Sequence, residues 1–181
     1  MINKSRPESE INLPSREECL EMIDDPEYNL PEDRKKHILK VNEIACKLGK
    51  ILKKAGIKID INILDRASLL HDIKKATSKD HEKDAAALIR QSGWSEKLAG
   101  VVELHPTHML PQALKSNWEA KVLNYADRRV WPGNKIRSLK EWLDEKDNSD
   151  RQSLYEQYRQ LEKDISSKIG KEELEKIFTP E

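Results

Sequence analysis

The sequence is short of most of the residues that staple, stack or anchor a chain. Of its 181 residues only two are cysteines, Cys19 and Cys46, and neither stands in a CxxC or other ligand spacing. That excludes a disulfide scaffold and a thiolate metal site, and it suits a reducing, cytoplasmic setting. Both thiols read as packing residues, because no histidine or metal-site spacing surrounds them. No stretch approaches eighteen consecutive apolar residues, so no membrane-spanning helix is expected. The opening MINKSRPESEINLPSREECL has no apolar centre of the kind a secretory signal needs. An excess of one charge is also missing: thirty-three basic residues meet thirty-three acidic ones. The basic surplus that usually accompanies nucleic-acid or membrane binding is therefore absent, although a local basic pocket stays open.

What is present points to one helical domain. At this length a single core is the simplest arrangement. Residues 1–14 are polar, carry Pro7 and Pro14, lack periodicity and read as a mobile lead-in. Ser15 followed by Glu18 is a capping-box signature, and the helix it opens should stop before Pro26. Pro31 and the acidic pair Glu32–Asp33 start a longer helix in which Ile38, Val41, Ile44, Ala45, Leu48, Ile51 and Leu52 recur at helical spacing, with Gly56 at its end. Asp60 should cap INILDRASLLHDI, Asp80 should cap HEKDAAALIRQSG, and Ser95 should cap SEKLAGVVELH. NWEAKVLNYADRRVW forms a further helix, stopped by Pro132–Gly133. Residues 15–145 thus read as the domain and 146–181 as a helical extension, broken near 147–150 and near Gly170. In that extension Leu154, Tyr158, Leu161 and Ile165 form a stripe suited to packing on the domain, with homodimerisation as the other use of such a face. Nothing alternates with period two. The expected class is all-α.

Five histidines occur, and all but His108 lie at a helix end or beside an apolar stripe. His71 and Asp72 together end an apolar helix, where burial is costly unless partners satisfy them. A buried His–Asp pair taken alone is more often structural, so the set matters: His37, His71–Asp72, His81, His105 and Asp127.

In order and surroundings these residues resemble the HD superfamily of metal-dependent phosphohydrolases, whose pattern is H…HD…D, often with two further histidines between. KKHILKVNEIACKL resembles the first-histidine helix, and LLHDIKK resembles the family's LLHDIGK with Lys75 at its lysine position. HEKDAAALI and VVELH resemble the helices of the intermediate histidines, and NYADRRV resembles the phrase of the last aspartate. The resemblance implies an HD-domain helical bundle in which His37, His71, Asp72 and Asp127 hold a divalent ion, with Asp72 central enough to bridge two. Imidazole and carboxylate ligands suit Mn²⁺, Fe²⁺, Co²⁺, Ni²⁺, Zn²⁺ or Mg²⁺. His81 and His105 are implied ligands of a second ion, or else bind phosphate or a carbonyl; His108 reads as a loop histidine.

The implied reaction is hydrolysis of a nucleotide or other small phosphoester by metal-activated water. Lys75, Arg66 and Arg128, with Arg129 beside the last, are the cations placed to meet a substrate phosphate. Two other readings share the ligand order: a diiron oxygenase, and a module that senses phosphate or nucleotide without turnover. The sequence departs from the family where glycine would follow HDI. Lys74 stands there, so the turn must form without a residue tolerant of positive φ. The four tryptophans offer base-stacking candidates, each of which is also ordinary core or surface.

Overall fold

Local signals set most of the element boundaries. The computed structural model describes residues 12–145 and 149–179. Among the described residues ten α-helices run in the order α1 (Arg16–Asp24), α2 (Glu32–Lys54), α3 (Ile61–Leu70), α4 (His81–Gln91), α5 (Glu96–Glu103), α6 (Leu110–Ala113), α7 (Trp118–Arg129), α8 (Leu139–Asp144), α9 (Ser149–Ile169) and α10 (Lys171–Ile177). Among the described residues there is no strand, only an isolated bridge between Val130 and Ile136. The fold is all-α, as the periodicity predicts. No described helix is long and apolar enough to cross a membrane.

Caps explain the starts. Ser15 and Glu18 form the reciprocal capping box on α1. Asp60 accepts from the Asn62 and Ile63 amides, Ser95 from Lys97 and Asn117 from Ala120. Asp80 departs from expectation: it occupies the N-cap position of α4, yet its side chain makes no capping bond. A second capping box, Ser138 with Glu141, opens α8. Of the lead-in, residues 1–11 lie outside the described residues, whereas Asn12–Pro14 are tied down. The Ser95 amide donates to the Asn12 carbonyl at 2.8 Å, the Asn12 amide to the Gly93 carbonyl at 2.8 Å, and Arg66 Nε to the Pro14 carbonyl at 3.1 Å.

The core is built around α2, α3, α5 and α7. Ile38, Val41, Ala45, Leu48 and Leu52 of α2 are sealed against Ile63, Leu64, Ala67 and Leu70 of α3, all without measurable exposure. Gly49 on the same face allows this approach, because a Cβ there would lie 2.5 Å from Leu64 Cδ2. The extension packs on the domain: Tyr158, Leu161 and Ile165 of α9 are buried, Leu154 is partly so, and Phe178 meets Tyr125 edge-on at 5.6 Å. Both cysteines are unpaired. Burial pushes each thiol up to about 12, which leaves them protonated packing groups.

Candidate metal centre

The residues of the expected centre arrive from three helices and two turns. His37 projects from the second turn of α2, Asp127 from α7, His81 from the first residue of α4, and His105 from the turn after α5. The dyad lies one step further along than the helical pattern suggests. Helix α3 ends at Leu70, and His71–Asp72 open a turn instead of closing a helix. That turn is held by Ile73 N–H to Leu70 O (3.1 Å), Lys75 N–H to Asp72 O (2.9 Å) and Ser78 N–H to Lys74 O (2.9 Å). It needs no positive φ at Lys74, since Asn29 is the sole described non-glycine residue in that region. Lys74 instead lays its ammonium 4.8 Å from the centre of the Tyr28 ring, a cation–π contact that gives the substituted position a structural use.

Asp72 is the hinge of the cluster. Its Oδ2 lies 3.9 Å from His37 Nε2 and 3.7 Å from His71 Nε2, while Asp127 Oδ1 lies 2.9 Å and 3.7 Å from the same two nitrogens. Its Oδ1 faces the other way, 3.2 Å from His81 Nε2 and 3.4 Å from His105 Nε2. Two sets of ligand atoms therefore share one carboxylate: His37, His71 and Asp72 with Asp127 beside them, and Asp72, His81 and His105. Asp72, Asp127 and all four histidines are buried.

The outer ring nitrogens fix the chemistry of the inner ones. His71 Nδ1 meets Ser68 O at 2.8 Å, His105 Nδ1 meets Val102 O at 2.7 Å, and His37 Nδ1 meets Trp131 O at 3.2 Å. A carbonyl only accepts, so each Nδ1 carries the proton and a neutral ring turns its Nε2 lone pair inward. Those lone pairs face carboxylate oxygens, an arrangement that repels unless a cation or a proton lies between. His71 Nε2 is buried with no hydrogen-bond partner. This donor set fits a divalent ion of the harder or borderline kind, and the backing carbonyls are what metal-bound histidines ordinarily have behind them. His81 differs in having Glu82 Oε2 at 3.2 Å from its Nδ1, a carboxylate in place of a carbonyl.

Electrostatics follow from this crowding. With protons in place of an ion between these groups, burial acts to raise the Asp72 carboxyl, but a charged His71 and hydrogen bonds from His105 and His81 outweigh it and hold it well below the usual carboxylate range. Asp127 is likewise held low against its burial, first by Arg128 and then by His37 and His71. Burial also opposes charge on His71, yet Asp72 and Asp127 raise it; burial lowers His105. The two ion sets are thus electrically unlike, the first having two carboxylates and the second sharing one.

The helical extension reaches this centre through a clamp. Asn124 of α7 donates to the carbonyls of Leu104 (2.9 Å) and Pro106 (3.2 Å), the residues on either side of His105. Tyr158 of α9 donates its hydroxyl to Asn124 Oδ1. A buried tyrosine outside the ligand-bearing helices therefore helps to fix the His105 backbone.

The centre opens into a cavity of about 610 Å³. Lys75 and Arg128 line it, as expected. The Lys75 ammonium lies 3.0 Å from His81 Nε2, and Arg128 Nη2 bonds Asp127 Oδ2 at 2.8 Å. Arg66 is not brought to it: its guanidinium is held by Pro14 O and Asp65 on another face. The reason is helical geometry, since five residues before His71 is about 140° around the helix. Arg129 is also spent elsewhere, on Tyr125, Glu162 and the Arg137 carbonyl. His108 is exposed in its loop but borders the cavity, 3.9 Å from Glu82 Oε1. None of the four tryptophans lines it.

Three residues of the site were not singled out from the sequence. Arg34 Nη1 bonds Asp72 Oδ2 at 2.7 Å; Arg137 is buried on the cavity wall beside Glu145; Glu82 backs His81. Arg34 alone had a usable signal, lying three residues before His37 and hence one turn away on the same face.

The comparisons agree with this geometry. The HD domain family model matches residues 34–130, which take in all six ligand candidates. An uncharacterized protein of Methanocaldococcus jannaschii is 33% identical over 118 residues, an overlap that covers 55% of this chain and 68% of that protein. No solved structure matches the chain significantly. With the match covering more than half of its length, and the H…HD…D residues gathered in one buried centre, the chain belongs to the HD-domain family, a superfamily of metal-dependent hydrolases.

Proposed function

We propose that this protein is a metal-dependent phosphohydrolase that adds water across the ester bond of a small phosphoester, releasing an alcohol and a phosphate. The observation that carries the reading is the shared Asp72, whose two oxygens serve two histidine pairs at the floor of a cavity rimmed by cations. Divalent ions held by His37, His71, Asp72 and Asp127, and by Asp72, His81 and His105, would lower the pKa of bound water towards neutrality and offset charge on the phosphoryl group.

The chain's own groups complete the task. The Lys75 side chain, beside His81, is placed to meet phosphoryl oxygens as negative charge develops on them. Arg34 and Arg128 each hold one oxygen of a ligand carboxylate, which orients Asp72 and Asp127. The backing carbonyls keep three imidazoles in the tautomer that ligates.

The test is phosphate release from an aryl phosphate and a panel of phosphoesters with Mn²⁺, Co²⁺ or Ni²⁺. Metal-dependent turnover is expected, and Lys75→Met should lower it roughly ten- to a thousand-fold, the scale of losing one charge-stabilising donor, with metal content and melting temperature unchanged. A fully loaded protein that turns over none of the panel would sink the proposal. Iron binding with a mixed-valence signal would then favour the diiron oxygenase, and phosphate binding without turnover the sensing module.

A further inference from the structure

The cations around the cavity are of two kinds. Arg34, Arg128 and Arg137 are each matched by a carboxylate, on Asp72, Asp127 and Glu145. Lys75, Lys79 and Lys83 line the same cavity around His81, and none of the three has a carboxylate at ion-pair distance among the described residues. Lys75 sits against His81 itself, whereas Lys79 and Lys83 lie two residues to either side of it, at the entrance to α4 and in its first turn. Asp80 lines the cavity between them, exposed and bonded to neither. Because its side chain leaves α4 uncapped, the partial positive charge of that helix start adds to the lysines.

The lining offers a nucleobase little to stack on: its one exposed ring is the His108 imidazole at the border. Its apolar lining residues are Pro106, Val130 and Pro132, with no Trp, Tyr or Phe among the described residues that line it. Residues 1–11, 146–148 and 180–181 contain no aromatic side chain either. A base gains its binding energy largely by stacking on a ring or a guanidinium plane, and here Arg128 and Arg137 already lie over the Trp142 and Trp131 rings, 5.7 and 4.6 Å from their centres.

We propose that the preferred substrates are small bisphosphorylated compounds without a nucleobase, of the sugar-bisphosphate type. One phosphate lies at the metal centre, and the other is held by Lys79 and Lys83. This rests on the phosphohydrolase reading and narrows it. The second phosphate supplies Lys79 and Lys83 with the counter-charge that no carboxylate at ion-pair distance gives them among the described residues, and a cavity of about 610 Å³ accommodates a sugar-sized skeleton.

Binding separates this idea from turnover. Calorimetry on the Mn²⁺-loaded full chain would compare propylphosphonate with propane-1,3-diylbisphosphonate, whose C–P bonds are not esters and survive the enzyme. The bisphosphonate should bind at least roughly tenfold tighter. In Lys79→Met/Lys83→Met, two exposed positions, that ratio should fall to about one or two. Adenosine 5′-monophosphate should displace the bisphosphonate no better than ribose 5-phosphate does. A ratio near one in the wild type, a ratio unchanged in the double variant, or a tenfold advantage for the adenosine compound would each overturn the assignment. Failure of the phosphoester panel with these ratios intact would instead remove the hydrolase reading and leave the bisphosphate site standing.

Discussion

Asp65 and Asp72 stand seven residues apart, at 7% and 3% exposure, and the difference between them separates a charge saturated by donors from one left open to a cation. Asp65 is saturated with donors. Arg16 and Arg66 each bond one of its oxygens, Asn42 Nδ2 reaches Oδ1 at 2.9 Å, and Cys46 Sγ adds a contact at 3.4 Å. Asp72 has one guanidinium, that of Arg34, and is otherwise surrounded by imidazole nitrogens whose lone pairs point at it. Burial is nearly the same in the two cases; what differs is whether the neighbours give protons or compete for a cation. The clusters also touch. Asn42 donates to Ser68 Oγ at 2.8 Å, and the Ser68 carbonyl is what His71 Nδ1 bonds, so the saturated cluster is the platform on which one ligand is mounted.

The largest effect should come from exchanging the two aspartates' fates. Asp72→Ala removes the carboxylate common to both ligand sets, so metal binding and hydrolysis should be abolished while far-UV circular dichroism still reports the helices. Asp65→Asn should keep its metal and lose about 1–2 kcal/mol of stability, through unpaired donors around a group whose main partner is partly exposed. Metal analysis and denaturant unfolding on the same samples check both. Unchanged metal in the first variant, or lost metal in the second, would break the distinction.

A finer division lies within the centre itself. If His81 and His105 form the second ion set on Asp72 Oδ1, His81→Ala/His105→Ala should roughly halve the bound metal and leave the first set occupied. Full two-ion occupancy in that variant would take both residues off the ligand list. A stoichiometry of one in both proteins, with only substrate affinity reduced, would assign them to phosphate.

The cluster of candidate ligands was legible in the sequence because the family's order is carried by residue identity, and the helix starts because caps such as Ser15, Asp60 and Ser95 announce them locally. What stayed hidden depends on packing between segments distant in the chain. Arg137 and Glu82 reach the centre only once α4 and the loop after α7 are in place, and the Tyr158–Asn124 clamp spans 34 residues. Arg66 misled for a simpler reason: proximity in sequence to the dyad is not proximity on the helix surface. Asp80 has the residue type of a cap without the bond, because residue identity does not set the side-chain geometry that capping needs.

The smallest expected effect concerns pH, and it asks whether Asp65 works through its charge. Burial acts to raise this carboxyl, but hydrogen bonds from Asn42 and Arg16 and the charge of Arg16 outweigh it, so its folded pKa lies below the ordinary value. A depressed folded pKa means that the ionised form stabilises the fold. That contribution is present above the unfolded value of about 3.9 and is lost as pH falls through the folded value beneath it. Arg16 is 41% exposed, so solvent screens the pair and the titrating part should be modest, about 1 kcal/mol at most. The stability gap between wild type and Asp65→Asn, measured by urea unfolding of metal-depleted protein, should be level from pH 7 to about pH 5 and narrow below about pH 4. Asp72 and Asp127 are also held low, but they are common to both proteins and cancel in the difference. A gap that stays constant through the acid limb would mean that Asp65 is held for its hydrogen bonds alone, and that ionic saturation is not what sets it apart from Asp72.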